Sequence, residues 1–188
     1  MTDYIQRRLN WIDGDQQHQG EETDILGQQR PVVILGEPGM GKTELLKRLA
    51  NDPNAQFVRA AAFLRWTNAQ MTPGSILVID ALDEVAAKAE GDPLHNVLQK
   101  LAELGRPRFV LSCRSAEWQG ASANREIADD YQKSAIEMWF EPIGPSDAAA
   151  YLAKHKGAPE AERIITVLGE QGLSDLYAIP LFLKLLSE

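Results

Sequence analysis

The chain alternates short, fully apolar runs with stretches in which apolar residues recur at helical spacing. The apolar runs predict buried strands at 31–35, 75–80, 108–114 and 135–143, and a shorter run predicts another strand at 56–60. Helical spacing predicts helices over 42–51, 93–104 and 123–132. Alternation of this kind is typical of a parallel sheet covered by helices on both faces.

The two ends of the chain show other patterns. Residues 3–12 place apolar side chains at helical spacing and predict a short amphipathic helix, and the polar stretch 13–30 predicts a loop or linker. Beyond residue 143 only helices are predicted, and the last one reaches the end of the chain without a capping residue. We therefore expect an N-terminal helix and linker over 1–24, an α/β core over 25–143 and a helical subdomain over 144–188, cut from a longer natural protein.

Composition narrows the class of protein. With 188 residues and 44% hydrophobic content, the chain can bury one full domain core. The net charge of −8 argues against a broadly basic nucleic-acid surface, although a local basic patch stays open. The single cysteine, Cys113, excludes an internal disulfide. No apolar run has the length of a membrane span and the N-terminus lacks the core of a signal peptide, so we expect a cytoplasmic protein with no membrane partner.

The stretch "GEPGMGKT" at 36–43 fits the phosphate-binding pattern G-x-x-x-x-G-K-[ST] in full. It lies between a predicted strand and a predicted helix, so the helix N-terminus faces the bound anion. Glycines let backbone N–H groups approach the phosphates, Lys42 reaches the β- and γ-phosphates, and the Thr43 hydroxyl can ligate Mg²⁺. The predicted nucleotide-binding residues here are Gly36, Glu37, Pro38, Gly39, Met40, Gly41, Lys42, Thr43 and Glu44.

A second acidic motif follows the apolar strand in "SILVIDALDEV" at 75–85. Asp80 stands at the tip of this strand, where its carboxylate can hold Mg²⁺ together with Thr43. Asp83 and Glu84 lie just beyond it and can orient or deprotonate an attacking water, or they can simply begin a helix. From these residues alone an ATPase, a GTPase and a small-molecule kinase stay open.

"VIDALDE" resembles the Walker B motif of the STAND class of P-loop ATPases, especially its NACHT-like branch, which is related to the AAA+ ATPases. The resemblance implies that Asp83 activates water with Glu84 as helper, because Ala81 stands where related ATPases place the catalytic glutamate. "FVLSCRS" at 109–115 resembles the sensor strand, which implies that Arg114 contacts the γ-phosphate. "LYAIPLFLKLL" resembles part of the helical subdomain, in which Pro180 matches a proline that packs on adenine.

The resemblance also implies a fold and a function. The fold is a three-layer α/β/α sandwich with a five-stranded parallel sheet of order 5-1-4-3-2, and Ile25 and Leu26 lie beside the adenine. The function is a switch that binds ATP or ADP with Mg²⁺ and hydrolyses ATP slowly, with catalytic Lys42, Asp83, Glu84 and Arg114. Its effector and sensor domains lie outside these residues, and it can form nucleotide-dependent homo-oligomers. The alternatives are a ring-forming remodelling ATPase of the AAA+ type and a module that holds ADP permanently.

Overall fold

In the computed structural model, which describes residues 4–86 and 92–188, seven strands form one mixed sheet. The strands are β1 (Arg8–Asp13), β2 (Gln16–Glu21), β3 (Val32–Leu35), β4 (Ala55–Arg59), β5 (Ile76–Asp80), β6 (Phe109–Cys113) and β7 (Ile136–Phe140). Their order is β2-β1-β7-β3-β6-β5-β4. The strands β3 to β7 are parallel, and in their own chain order they read 5-1-4-3-2. The predicted α/β class is confirmed, and the sheet has seven strands where five were expected.

Helices connect the parallel strands and make up the C-terminal part of the chain. They are α1 (Thr23–Gly27), α2 (Lys42–Leu49), α3 (Ala60–Phe63), α4 (Leu82–Ala86), α5 (Pro93–Glu103), α6 (Ala121–Tyr131), α7 (Pro145–Lys156), α8 (Ala158–Glu170), α9 (Asp175–Ala178) and α10 (Pro180–Ser187). The start of α5 shows why its sequence is helical: the Asp92 side chain accepts from the Leu94 N–H at 2.9 Å and Pro93 occupies the first turn. No helix among the described residues combines the length and the apolar character that crossing a bilayer requires.

The predicted N-terminal helix over 3–12 is wrong where the structure describes it, and residue 3 lies outside the described residues. The predicted linker over 13–30 is wrong for most of its length, because it contains β2 and α1, and residues 28–30 are irregular as expected. β1 pairs antiparallel with both β2 and β7, and α1 follows β2. In β1, residues 8–11 alternate between polar and apolar, with Leu9 and Trp11 at the apolar positions, which is a strand period. Gly14, at φ 61°, forms the turn of the hairpin after Asp13. Pairing along β7 therefore decided the structure of a segment whose apolar spacing fits both periods.

The described residues fall into two compact units. The α/β unit comprises 8–37 and 42–140, and the helical unit comprises 4–7, 38–41 and 141–188. The core of the α/β unit consists of the apolar faces of the parallel strands with buried residues of α5 and α6, such as Leu98 and Ile127. In the helical unit, Ile5 joins the buried residues of α7, α8, α9 and α10. The tip of the glycine-rich loop thus belongs to the helical unit, and the expected boundaries at residues 24 and 143 stay a prediction.

Candidate functional site

The glycine-rich loop, residues 36–43, leaves the carboxyl end of β3 and leads into α2. Gly39 and Gly41 have φ of 85° and 91°, a backbone conformation that residues with a Cβ rarely adopt. Within the part of the chain that the structure describes, the N–H group of Gly41 has no protein acceptor. The loop therefore presents a backbone donor that an anion can use.

Lys42 lies at the first position of α2 and is turned back onto the loop. Its amino group donates to the carbonyl of Glu37 at 3.2 Å and to the carbonyl of Gly36. Burial lowers the pKa of Lys42, while the nearby Asp83 carboxylate raises it and Arg114 lowers it further. The charges of Asp83 and Arg114 therefore both act on the Lys42 ammonium.

Asp80 ends β5 and connects three parts of the α/β unit. Its side chain accepts from the Thr43 hydroxyl at 2.9 Å and from the Ser112 hydroxyl at 2.7 Å. Ser112, on β6, in turn accepts from the N–H of Ala81 at 2.9 Å. The residue Asp80 is 1% exposed, so these hydrogen bonds replace those that water would make.

Ser112 was missed in the sequence analysis. The available signal was a hydroxyl inside an otherwise apolar, fully buried strand, because such a group requires a partner. The residue after Asp80, Ala81, has a φ of 62°, which lies in the left-handed region that residues other than glycine rarely adopt. The bond from its N–H to Ser112 holds this strained turn directly after Asp80.

Asp83 and Arg114 form an ion pair with 2.8 Å between Oδ2 and Nε. The Asp83 side chain is 9% exposed and that of Arg114 is 47% exposed. Glu84, by contrast, is about half exposed and lies 3.8 Å from Arg59. Of the predicted catalytic residues, the structure brings Lys42, Asp83 and Arg114 together, while Glu84 is directed to another partner.

Asp83 also lines a cavity of about 300 Å³ together with Cys113, Trp118 and residues at the start of α5. Burial raises the pKa of Cys113 to about 12, with the negative charge of Asp83 adding to the effect. The thiol is therefore neutral, and it is no nucleophile at physiological pH. The cavity leaves room for water beside the Asp83 carboxylate.

The other predicted nucleotide contacts lie in several places. Glu44 is exposed and pairs with Lys47 at 3.5 Å. Ile25 is buried, and the Leu26 carbonyl accepts from Arg108 at 2.7 Å, directly before β6. Leu26 thus lies at the amino end of β6. Gly36 follows the carboxyl end of β3, and Asp80 lies at the carboxyl end of β5. These contacts give the adenine role of Ile25 and Leu26 no support.

Pro180 begins α10 in the helical unit, beside the tip of the glycine-rich loop. A Cβ on Gly41 would lie 3.9 Å from Pro180 Cγ. The next residue, Leu181, donates its N–H to the Gly39 carbonyl at 3.3 Å. The structure therefore brings Pro180 to the loop residues 38–41.

Comparison with known proteins identifies the fold. No protein-family model and no curated protein matches the chain, but solved structures do. RuvB of Thermotoga maritima matches 84% of this chain with TM-score 0.54 and 14% identity, and a Walker-type ATPase of Pyrococcus abyssi matches 88% with TM-score 0.55 and 10% identity. Domain III of the Thermotoga maritima replication initiation protein DnaA matches 82% with TM-score 0.50 and 13% identity, over 85% of its own length.

The chain spans only 53% of the RuvB chain and 63% of the Pyrococcus ATPase. At such low identity the likeness concerns the fold, and it agrees with the parallel strand order of the sheet. The chain therefore shares the α/β fold of these solved structures, one of which is a Walker-type ATPase.

Proposed function

We propose that this chain is a nucleotide switch that binds ATP or ADP with Mg²⁺ at the glycine-rich loop and hydrolyses ATP slowly. The observation that carries the proposal is the hydrogen bond of 2.9 Å between Thr43 and Asp80. It joins the end of the loop to the acidic tip of β5, which are the two halves of a Mg²⁺-nucleotide site in P-loop proteins. A loop that served only as a tight turn has no need of this partner.

The donor set fits Mg²⁺. A hydroxyl and a carboxylate are hard oxygen ligands, and Mg²⁺ commonly takes one or two of them and completes its shell with water and substrate phosphates. The described residues contain no cluster of three or more acidic, histidine or cysteine side chains that could hold an ion alone. Thr43 and Asp80 would hold the ion, which when bound would neutralise charge on the phosphates.

The remaining residues supply positioning and proton transfer. The Lys42 ammonium would exchange its carbonyl partners for phosphate oxygens, and burial strengthens that attraction. Asp83, with a cavity at its side, would orient a water and take its proton. Arg114 would leave Asp83 for the γ-phosphate, so that ATP and ADP differ in whether Asp83 is free to act.

In this proposal the chain acts as the switch of a longer STAND or NACHT-like protein. The nucleotide biases two arrangements, and effector and sensor domains outside these residues convert the bias into a signal. The resemblance of "VIDALDE" supports this class, as does the pairing of Asp83 with Arg114, because a base held in an ion pair suits slow hydrolysis.

Isothermal titration calorimetry with ATP and ADP, with and without Mg²⁺, tests the proposal. We expect the unchanged protein to bind both, Lys42→Ala to lose at least tenfold in affinity, and Lys47→Ala, which alters an exposed lysine of the same helix, to bind normally. Equal binding by all three proteins would refute the assignment of the loop.

The second candidate is a ring-forming ATPase of the AAA+ type, which the likeness to RuvB favours. It predicts closed rings with a non-hydrolysable ATP analogue, visible by native mass spectrometry. A monomer or an open assembly under the same conditions supports the nucleotide switch over the ring-forming ATPase.

A further inference from the structure

We propose that Arg7 is a positioning residue for the phosphates: it orients the backbone N–H of Gly41 by holding the carbonyl of Met40. This inference rests on the proposed function of the glycine-rich loop. It adds to the phosphate site a residue that lies outside the sequence motifs described above. Arg7 lies near the start of the chain, 33 residues before Met40.

Arg7 is a charged residue with only 2% of its surface exposed. Burying a guanidinium is costly, so its hydrogen bonds must be well formed to offset the loss of water. One of its terminal nitrogens donates to the Met40 carbonyl at 2.7 Å and the other donates to the Glu141 carbonyl at 2.5 Å. All three residues belong to the helical unit, so Arg7 connects the loop tip to the segment that begins the C-terminal part of that unit.

The geometry of a peptide unit gives this contact its consequence. In a trans peptide the C=O and the following N–H point in opposite directions, and the described residues contain no cis bond. When Arg7 holds the Met40 carbonyl on one side of the loop, the N–H of Gly41 must point to the other side. A second contact does the same one peptide earlier, because the Leu181 N–H donates to the Gly39 carbonyl and so turns the N–H of Met40.

Met40 and Gly41 place successive N–H groups in the loop, and that of Gly41 has no protein acceptor within residues 4–86 and 92–188. Phosphate-binding loops use such successive N–H groups to hold the α- and β-phosphates. A loop of glycines is otherwise free to rotate its peptides, and fixing them before binding removes an entropy cost. Arg7 therefore pre-forms the donors that receive the β-phosphate.

Arg7→Met and Arg7→Lys test this inference, with Arg8→Met as the matched control. Arg8 is the exposed neighbour and begins β1. ADP and inorganic pyrophosphate serve as probes, and affinity is measured by calorimetry. Because one oriented N–H bond to a charged group is lost, we expect Arg7→Met to bind both probes about tenfold more weakly or worse. Arg7→Lys keeps the charge but has one nitrogen in place of the two that reach the two carbonyls, so it should lose less than Arg7→Met, and Arg8→Met should match the unchanged protein.

A spectroscopic measurement separates positioning from a general loss of stability. In protein labelled with ¹⁵N-glycine, ADP should shift the Gly41 amide strongly in the unchanged protein and in Arg8→Met, and much less in Arg7→Met. Leu183→Ala, which opens the buried core of the helical unit, should lower the melting temperature but keep the Gly41 shift.

The outcomes distinguish the two proposals. If the unchanged protein does not bind ADP, the proposed function fails. If it binds, and an Arg7 variant that folds keeps both its affinity and its Gly41 shift, only the inference about Arg7 is overturned. Should Arg7→Met not fold, Arg7→Lys with full affinity and an unchanged shift overturns it equally.

Discussion

Arg114 donates to Asp83 over 2.8 Å, so the residue proposed to contact the γ-phosphate holds the residue proposed to activate water. The two side chains therefore stay paired until a third group competes for one of them. A γ-phosphate is such a competitor for Arg114, because a guanidinium binds phosphate as well as it binds carboxylate.

We expect Arg114→Met to bind ADP as the unchanged protein does but to lose about tenfold in affinity for a non-hydrolysable ATP analogue. The physical reason is that only the triphosphate presents the oxygens that Arg114 would take from Asp83. Calorimetry with both nucleotides measures the ratio of affinities, and Arg125→Met, at an exposed position of α6, is the control. An unchanged ratio contradicts the role of Arg114.

Ser112→Ala should destabilise the α/β unit by about 1–3 kcal/mol, because it leaves one oxygen of the buried Asp80 and the N–H of Ala81 without partners. It should also weaken Mg²⁺-dependent nucleotide binding, since Asp80 loses the contact that fixes its orientation. Urea unfolding monitored by circular dichroism gives the stability. Ser122→Ala, at an exposed position on α6, should change it little, and an equal loss in both variants would argue against a special role of Ser112.

Lys42→Met should raise the stability of the nucleotide-free protein at neutral pH. The pKa of Lys42 is lowered in the folded state, so the unfolded state binds more protons between that pKa and the ordinary value of 10.5. The charged lysine therefore costs stability at neutral pH, and this cost disappears as the pH rises toward 10.5. Melting temperatures of both proteins across this range test the point: the advantage of Lys42→Met should shrink with rising pH. A constant or growing advantage is incompatible with the burial of this charge.

Gly39→Ala should destabilise more than Gly105→Ala, although the two glycines have similar φ of 85° and 83°. A Cβ at Gly105 meets nothing within 4 Å, so it costs only backbone strain of about 1–2 kcal/mol. A Cβ at Gly39 would also lie 3.0 Å from the Cβ of Leu181, which cannot rotate away. Thermal unfolding of the two variants measures the difference in stability. Equal losses of stability would show that α10 can move away from the new Cβ without an energetic cost.

The order of the parallel strands was predictable because it followed from a motif resemblance and from fully apolar runs such as 75–80. The hairpin of β1 and β2 was not, because Leu9 and Trp11 fit a strand period only if the overlapping helical spacing of Ile5, Leu9 and Ile12 is ignored. What decided the matter was the pairing of β1 with β7, which lies about 130 residues away in sequence. Such partners are invisible to local periodicity.

Some residues of the candidate site could likewise be predicted from the sequence, and others could not. The glycine-rich loop and Asp80 could be located from sequence, since their spacing is dictated by the chemistry of a phosphate. The contribution of Ser112 depends on which strand lies beside β5, and that of Arg7 depends on where residue 7 folds relative to residue 40. Neither can be derived from local spacing.

The hairpin has a consequence for the behaviour of the protein at high concentration. Without β1 and β2, the strand β7, "IEMWF", would expose unpaired backbone groups beside an apolar surface, which invites pairing with a second chain. With the hairpin in place, the outermost strand on this side is "QQHQGE", a mostly exposed polar segment. The short hairpin therefore protects the edge of the sheet from pairing with a second chain. A chain shortened from the N-terminus through residue 21 should be less soluble, although its glycine-rich loop is intact.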